Sequence, residues 1–167
     1  LVNLGLFLFS LTVCVVVAET AARIYAGSLI RPAAVATDAK PISRFHPTLG
    51  WDKPPFGEAR IHRAEFDIEI RINSRGLRGP EYDYVKPAGR KRLLILGDSF
   101  AEGYYVEEED TARAVVEQRL NAGPCPGWEV VNGGTIAYST DQEYLFFREE
   151  GHKYQPELVA RLFYHNG

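Results

Sequence analysis

Three polar segments in this sequence each follow an apolar run and carry groups suited to one kind of chemistry. Gly97-Asp98-Ser99-Phe100 comes after Leu93-Leu94-Ile95-Leu96, Asn132-Gly133-Gly134-Thr135-Ile136-Ala137-Tyr138 after Trp128-Glu129-Val130-Val131, and His165-Asn166-Gly167 after a run from Leu158 to Tyr164. A hydroxyl, loop amides among small side chains and a carboxamide are what acyl transfer requires: a nucleophile, and donors aimed at a developing oxyanion. Ser99 is the candidate nucleophile, and the alternative is a serine that only turns the chain at a strand end. The setting is not the strained G-x-S-x-G elbow, because Ala101 fills its last position. No G-K-[ST] follows Gly97 and no G-x-G-x-x-G follows any apolar run, so the glycines do not read as a phosphate cradle.

For these segments to meet, the runs before them must be strands of one sheet whose carboxyl ends share a rim. Leu93-Leu94-Ile95-Leu96 is short and continuously apolar, as a strand buried on both faces would be. The spacing of Ala112, Val115, Val116 and Leu120 predicts a helix from about Thr111 to Asn121, with Asp110 placed to cap it. Ala122-Gly123-Pro124-Cys125-Pro126-Gly127 stops that helix, and Trp128–Asn132 forms a second strand. Thr140-Asp141-Gln142-Glu143 has the form of a capping box and predicts a second helix to about Glu150, with Asp141 and Glu143 as carboxylates at its start. Leu158–Tyr164 supplies the third strand. Strands alternating with helices imply parallel pairing, and ligands of such sheets sit at the carboxyl ends of the strands. Asp98 is expected to hydrogen-bond its own loop, and Tyr104, Tyr105 and Tyr138 either face a substrate or pack.

Upstream, Phe66–Ile72 alternates apolar and charged residues, the pattern of a strand with one wet face at a sheet edge or in a hairpin. Asn73-Ser74-Arg75-Gly76 has turn chemistry, and Arg90-Lys91-Arg92 reads as a solvated strand entrance. Residues 27–60 carry Pro32, Pro41, Pro47, Pro54 and Pro55 without a sustained period and read as a tether and irregular segment, in which His46 and His62 are solvated. Leu1–Ala18 bears no charge; at about 1.5 Å rise per residue it covers most of a hydrocarbon core of about 30 Å, and Ala21-Ala22 would complete the crossing. An uncleaved anchor, a cleaved signal ending at a small residue such as Ala18 or Ala22, and a buried helix are the three readings. The chain thus divides into an anchor or signal at 1–25, a linker at 26–65 and a partial α/β domain at 66–167, with that domain expected outside the cytoplasm, periplasmic or extracellular, and secreted if the first segment is cleaved.

Composition narrows the function further. A net charge of −3 supplies no field for a polyanion, so nucleic acid is not an expected partner. Cys14 and Cys125 form neither a disulfide framework nor a zinc cluster, and no cofactor is expected. The absence of methionine and the start at Leu1 suggest a fragment, or an alternative start codon read literally.

The ordered set Ile95-Leu96-Gly97-Asp98-Ser99-Phe100, Val131-Asn132-Gly133-Gly134 through Asp141-Gln142, and Phe163-Tyr164-His165-Asn166 resembles the first three sequence blocks of the SGNH hydrolases, also called the GDSL family. The likeness spans about residues 70 to 167, and Asn73–Gly79 resembles the lead-in of a bacterial subgroup whose domain follows a membrane segment. The resemblance implies an SGNH or flavodoxin-like three-layer α/β/α sandwich with a parallel sheet, here cut short after its third core strand. It implies hydrolysis of acyl or acetyl esters, of small molecules or polysaccharide, through an acyl-serine intermediate. Ser99 would be the nucleophile and lend its amide to the oxyanion, and the Asn166 side chain would be a second donor. The third donor in the family is the amide of a glycine five residues after the second block's asparagine, a position held here by Ala137, where a left-handed backbone would be strained. The family's base is a histidine in a D-x-x-H pair, and these 167 residues contain no such pair; His152 and His165 lack its context, and Gly167 stands where an aspartate usually follows the asparagine. Without that base the chain is expected to be nearly inactive. A catalytically inactive remnant or binding module, and an acyltransferase on the same fold, are the alternatives.

Overall fold

The continuous apolar run at Leu93 becomes the central strand of a three-stranded parallel sheet. In the computed structural model, which describes residues 2–29, 41–62 and 66–163, β5 (Lys91–Leu96) lies between β6 (Trp128–Asn132) and β7 (Leu158–Arg161). Both pairings are parallel, with Leu94 opposite Val131 on one side and Val159 on the other. The strand's period of two sorts its side chains. Leu94 and Leu96 join Val131, Tyr138, Phe146 and Tyr154 in one core cluster, whereas Leu93 and Ile95 pack with Val130, Ala101, Val116 and Leu120 in another.

Four strands precede the sheet and pair as two antiparallel hairpins, β1 (Arg44–His46) with β2 (Gly50–Asp52) and β3 (Glu58–His62) with β4 (Asp67–Arg71). The alternation read at Phe66–Ile72 appears in β4, where Ile68 and Ile70 are buried between exposed charged neighbours. Residues 44–62, by contrast, contain three short strands where proline content suggested an irregular linker. Three-residue strands leave no periodicity to read, and long-range bonds hold the first hairpin: Trp51 Nε1 donates to the Ile136 carbonyl at 3.0 Å and Gln142 Nε2 to that of Leu49 at 2.7 Å.

After β5 come α2 (Ser99–Glu102) and α3 (Ala112–Ala122), and α4 (Thr140–Glu149) follows β6. Two caps fall one residue from their expected places. Thr111, not Asp110, caps α3 by accepting from the Ala114 amide, because Asp110 is taken into a 3₁₀ turn at Glu108–Asp110. Ser139 and Gln142, not Thr140 and Glu143, form the capping box of α4, which frees Glu143 to pair with Arg161 at 2.6 Å. Arg92 belongs to no solvated run: it is 1% exposed, with its guanidinium held by Glu129 at 2.7 Å and by the carbonyls of Tyr84 and Tyr154. A buried cation needs such a complete set of partners.

The chain separates into two units, Leu1–Ala34 and Val35–Gly167. In the first, α1 (Val2–Leu29) contains Asn3–Tyr25, a stretch with mean hydropathy 2.1 that is long and apolar enough to cross a membrane, as anchors and export signals both are. In the second, β7 is an edge among the described residues, with Leu158 and Val159 about half exposed and Leu162 and Phe163 exposed beyond it.

Candidate active site

Parallel pairing brings the ends of β5 and β6 side by side, and the loops leaving them interlock. Gly133 N–H donates to the Ile95 carbonyl at 2.7 Å, and Thr135 N–H to that of Gly97 at 3.0 Å. Gly134 lies so close to α2 that a β-carbon there would stand 2.4 Å from the Glu102 amide nitrogen and 2.6 Å from the Ala101 carbonyl carbon. Only a residue without a side chain fits between them.

Ser99 opens α2 directly after β5 and is half-buried. Asp98 caps that turn, its Oδ1 accepting from the Phe100 amide at 3.0 Å, so its carboxylate serves the loop as expected. Gly103 closes the turn in the left-handed region at φ 79°, donating to the Ser99 carbonyl. A buried arginine from the preceding segment secures this end: Arg78 donates to the carbonyls of Gly103 and Val106 and lies 3.3 Å from Glu108. Burial pushes the Arg78 guanidinium's pKa down, and the carboxylates of Glu108 and Glu102 oppose that shift.

The β6 loop is gripped by two buried charges and an indole. Lys53, 4% exposed, donates to the Gly134 carbonyl at 2.6 Å and to Thr135 Oγ1 at 2.5 Å. Burial pushes its ammonium pKa down, and Glu102 opposes that shift. Glu102 Oε2 accepts from the Ile136 amide at 2.6 Å, and Trp51 holds the Ile136 carbonyl. Tyr138 packs in the core and donates to the Trp51 carbonyl at 2.7 Å; Tyr105 is exposed. Arg78 lies in the Asn73–Gly79 stretch already singled out, whereas Trp51, Lys53 and Glu102 belong to no motif. The only signal for Lys53 and Glu102 is an ordinary charge, whose burial depends on contacts far away in sequence.

Ala137 adopts φ 60°, the left-handed conformation that an alanine resists. Among the described residues, no acceptor pairs with the amide of Ala137 or with that of Ser99. Asp98 and Ala137 line the same cleft of about 400 Å³, as do Arg161, Leu162 and Phe163. Asn166 and His165 lie outside the described residues. No hydrogen bond joins the Ser99 hydroxyl to a histidine among the described residues, and His46 instead accepts from the amides of Thr48 and Leu49. Among the described residues the ends of β5 and β6 therefore offer the Ser99 hydroxyl and the amides of Ser99 and Ala137 with open hydrogen-bonding capacity, although Ser99 does not itself line the Ala137 cleft. No family model and no curated protein matches the chain.

Proposed function

We propose that this chain carries the nucleophile and oxyanion loops of a serine ester hydrolase of the SGNH kind. In this reading the domain is an α/β/α sandwich held outside the cytoplasm by α1, and it acts on acyl or acetyl esters of small molecules or polysaccharide. One observation carries the reading: the amides of Ser99 and Ala137, at the ends of adjacent strands, are both without an acceptor among the described residues, and the second is kept so in a strained conformation. Further support comes from the core clusters on alternate residues of β5, which suit helices on both sheet faces.

The chemistry follows from those groups. Ser99 Oγ attacks the ester carbonyl, its proton passes to a base, and the carbonyl oxygen takes the negative charge between the two amides and the Asn166 carboxamide. Collapse of the tetrahedral species breaks the ester C–O bond and releases the alcohol with a proton. Water then cleaves the acyl-serine, regenerating the hydroxyl and releasing the acid. The resemblance assigns the base to the histidine of a D-x-x-H pair, which is not among these 167 residues.

The test is labelling by a fluorophosphonate probe of the full protein in detergent, expressed with any coding sequence that continues past Gly167. Label on the Ser99 peptide, lost in Ser99→Ala together with ester turnover, is the expected result. Turnover that survives Ser99→Ala overturns the assignment.

A further inference from the structure

The loop from Gly134 to Tyr138 allows nearly complete accounting of its peptide groups. The Gly134 amide donates to Asn132 Oδ1 at 3.0 Å and its carbonyl accepts from Lys53. The Thr135 amide reaches Gly97 and its carbonyl accepts from the Tyr138 amide at 3.1 Å, closing a four-residue turn. The Ile136 amide goes to Glu102 and its carbonyl to the Trp51 indole N–H. Of the amides in this loop, that of Ala137 is the one left without an acceptor among the described residues.

That amide shares a peptide plane with the Ile136 carbonyl. In a planar trans peptide the C=O and N–H point in opposite directions, so whatever holds the carbonyl also aims the amide. The turn has a positive φ at its third residue, Ala137, and not at its second, Ile136, which is the type II arrangement. Type I differs chiefly by rotation of this one peptide, and it places the third residue near φ −90°, which suits alanine better. Left to its own preference, the Ile136–Ala137 peptide would turn over and point the amide away. The indole of Trp51, 3.0 Å from the Ile136 oxygen, opposes that rotation.

We infer that Trp51 is a positioning residue that aims the Ala137 amide into the oxyanion site, an inference that rests on the serine-hydrolase reading above. Trp51 comes from β2, touches the turn through its indole and packs on Tyr138 with ring centroids 5.8 Å apart. Trp51→Phe keeps an aromatic ring there and removes the N–H.

The experiment compares the rate of Ser99 labelling by a fluorophosphonate, with kcat and KM for a simple acetyl ester, in four full-length proteins: the parent, Trp51→Phe, Ala137→Gly and the double variant. Trp51→Phe is expected to slow labelling and lower kcat by about tenfold or more, toward the 10²–10³-fold that loss of one oxyanion donor costs, with KM little changed. Glycine favours the type II turn unaided, so the double variant is expected to recover most of the rate. A purely structural defect would not be rescued this way. Trp51→Phe labelling within twofold of the parent, or a slow variant that Ala137→Gly does not rescue, overturns the inference. If the parent itself fails to label at Ser99, the hydrolase reading falls instead. Trp51 is then judged by the φ of Ala137 in Trp51→Phe, measured by NMR couplings: a shift to negative φ upholds the role in setting the turn, and retention of a positive φ refutes it. The same measurement decides if Trp51→Phe does not yield an active preparation.

Discussion

Replacing Ala137 by glycine is expected to stabilise the protein. Ala137 sits at φ 60° with its methyl exposed, so the substitution removes a backbone penalty and forfeits little burial. The left-handed conformation costs an L-residue about 1–2 kcal/mol, and the extra freedom of glycine in the unfolded chain takes back roughly 0.5–1 kcal/mol. The balance is about 0.5–1 kcal/mol in favour of Ala137→Gly, or roughly 2–4 °C in Tm for a domain of this size. Urea and thermal unfolding followed by circular dichroism, in detergent, would measure it. Gln155→Gly is the control, since Gln155 is exposed with φ 52° at the end of a 3₁₀ turn, and it should gain by the same mechanism. A lowered midpoint for Ala137→Gly beside a raised one for Gln155→Gly would refute the reasoning, because the backbone at Ala137 would then not be strained.

Two further outcomes test the packing around the site. Gly134→Ala should cost about 1–3 kcal/mol or more, because its β-carbon would meet backbone atoms of α2 and not the yielding tip of a side chain; an unchanged urea midpoint would show that α2 does not rest on the loop. Burial raises the hydroxyl pKa of Tyr82, Tyr138 and Tyr154, with nearby carboxylates adding to it. Their folded values lie above the unfolded value near 10, so the stability they contribute is complete below about pH 10 and is lost as pH rises above it. Lys53 acts in the opposite sense, its contribution growing as pH rises toward its unfolded value. Three tyrosines against one lysine predict a net fall, and ultraviolet titration should find that these three of the nine tyrosines ionise only with unfolding.

The central strands were legible in the sequence because burial on both faces leaves a mark that survives without context: Leu93–Leu96 and Val130–Val131 have few polar interruptions. Their order in the sheet was not. The two displaced caps show where local rules stop. Both Ser139–Gln142 and Thr140–Glu143 satisfy the capping pattern, and the choice is made from outside the helix, by Leu49 accepting from Gln142 and Arg161 engaging Glu143. The same limit hid the first hairpin. Asp52-Lys53-Pro54-Pro55 reads as solvated chain, and only partners far along the sequence, the Gly134 carbonyl and the Thr135 hydroxyl, give Lys53 a reason to be buried. At the site, Ser99 and the strain at Ala137 could be anticipated from residue type and position, whereas the groups that orient them could not, because their chemistry is that of any charge or aromatic ring until the fold supplies its partner.

The side of β7 that is unpaired among the described residues has a consequence for any preparation in which nothing covers it. Leu158-Val159-Ala160-Arg161-Leu162-Phe163 is a β-prone hexapeptide with a single charge, and that charge is turned toward Thr140 and Glu143 of α4. Proteins commonly discourage edge-to-edge growth by setting lysine, proline or an outward charge on such a strand. Here the one cation that could act as a gatekeeper is already committed to holding a helix. Preparations in which this edge is bare should therefore lose protein to aggregates that grow by strand addition, and a lysine in place of Val159 should keep more of it soluble.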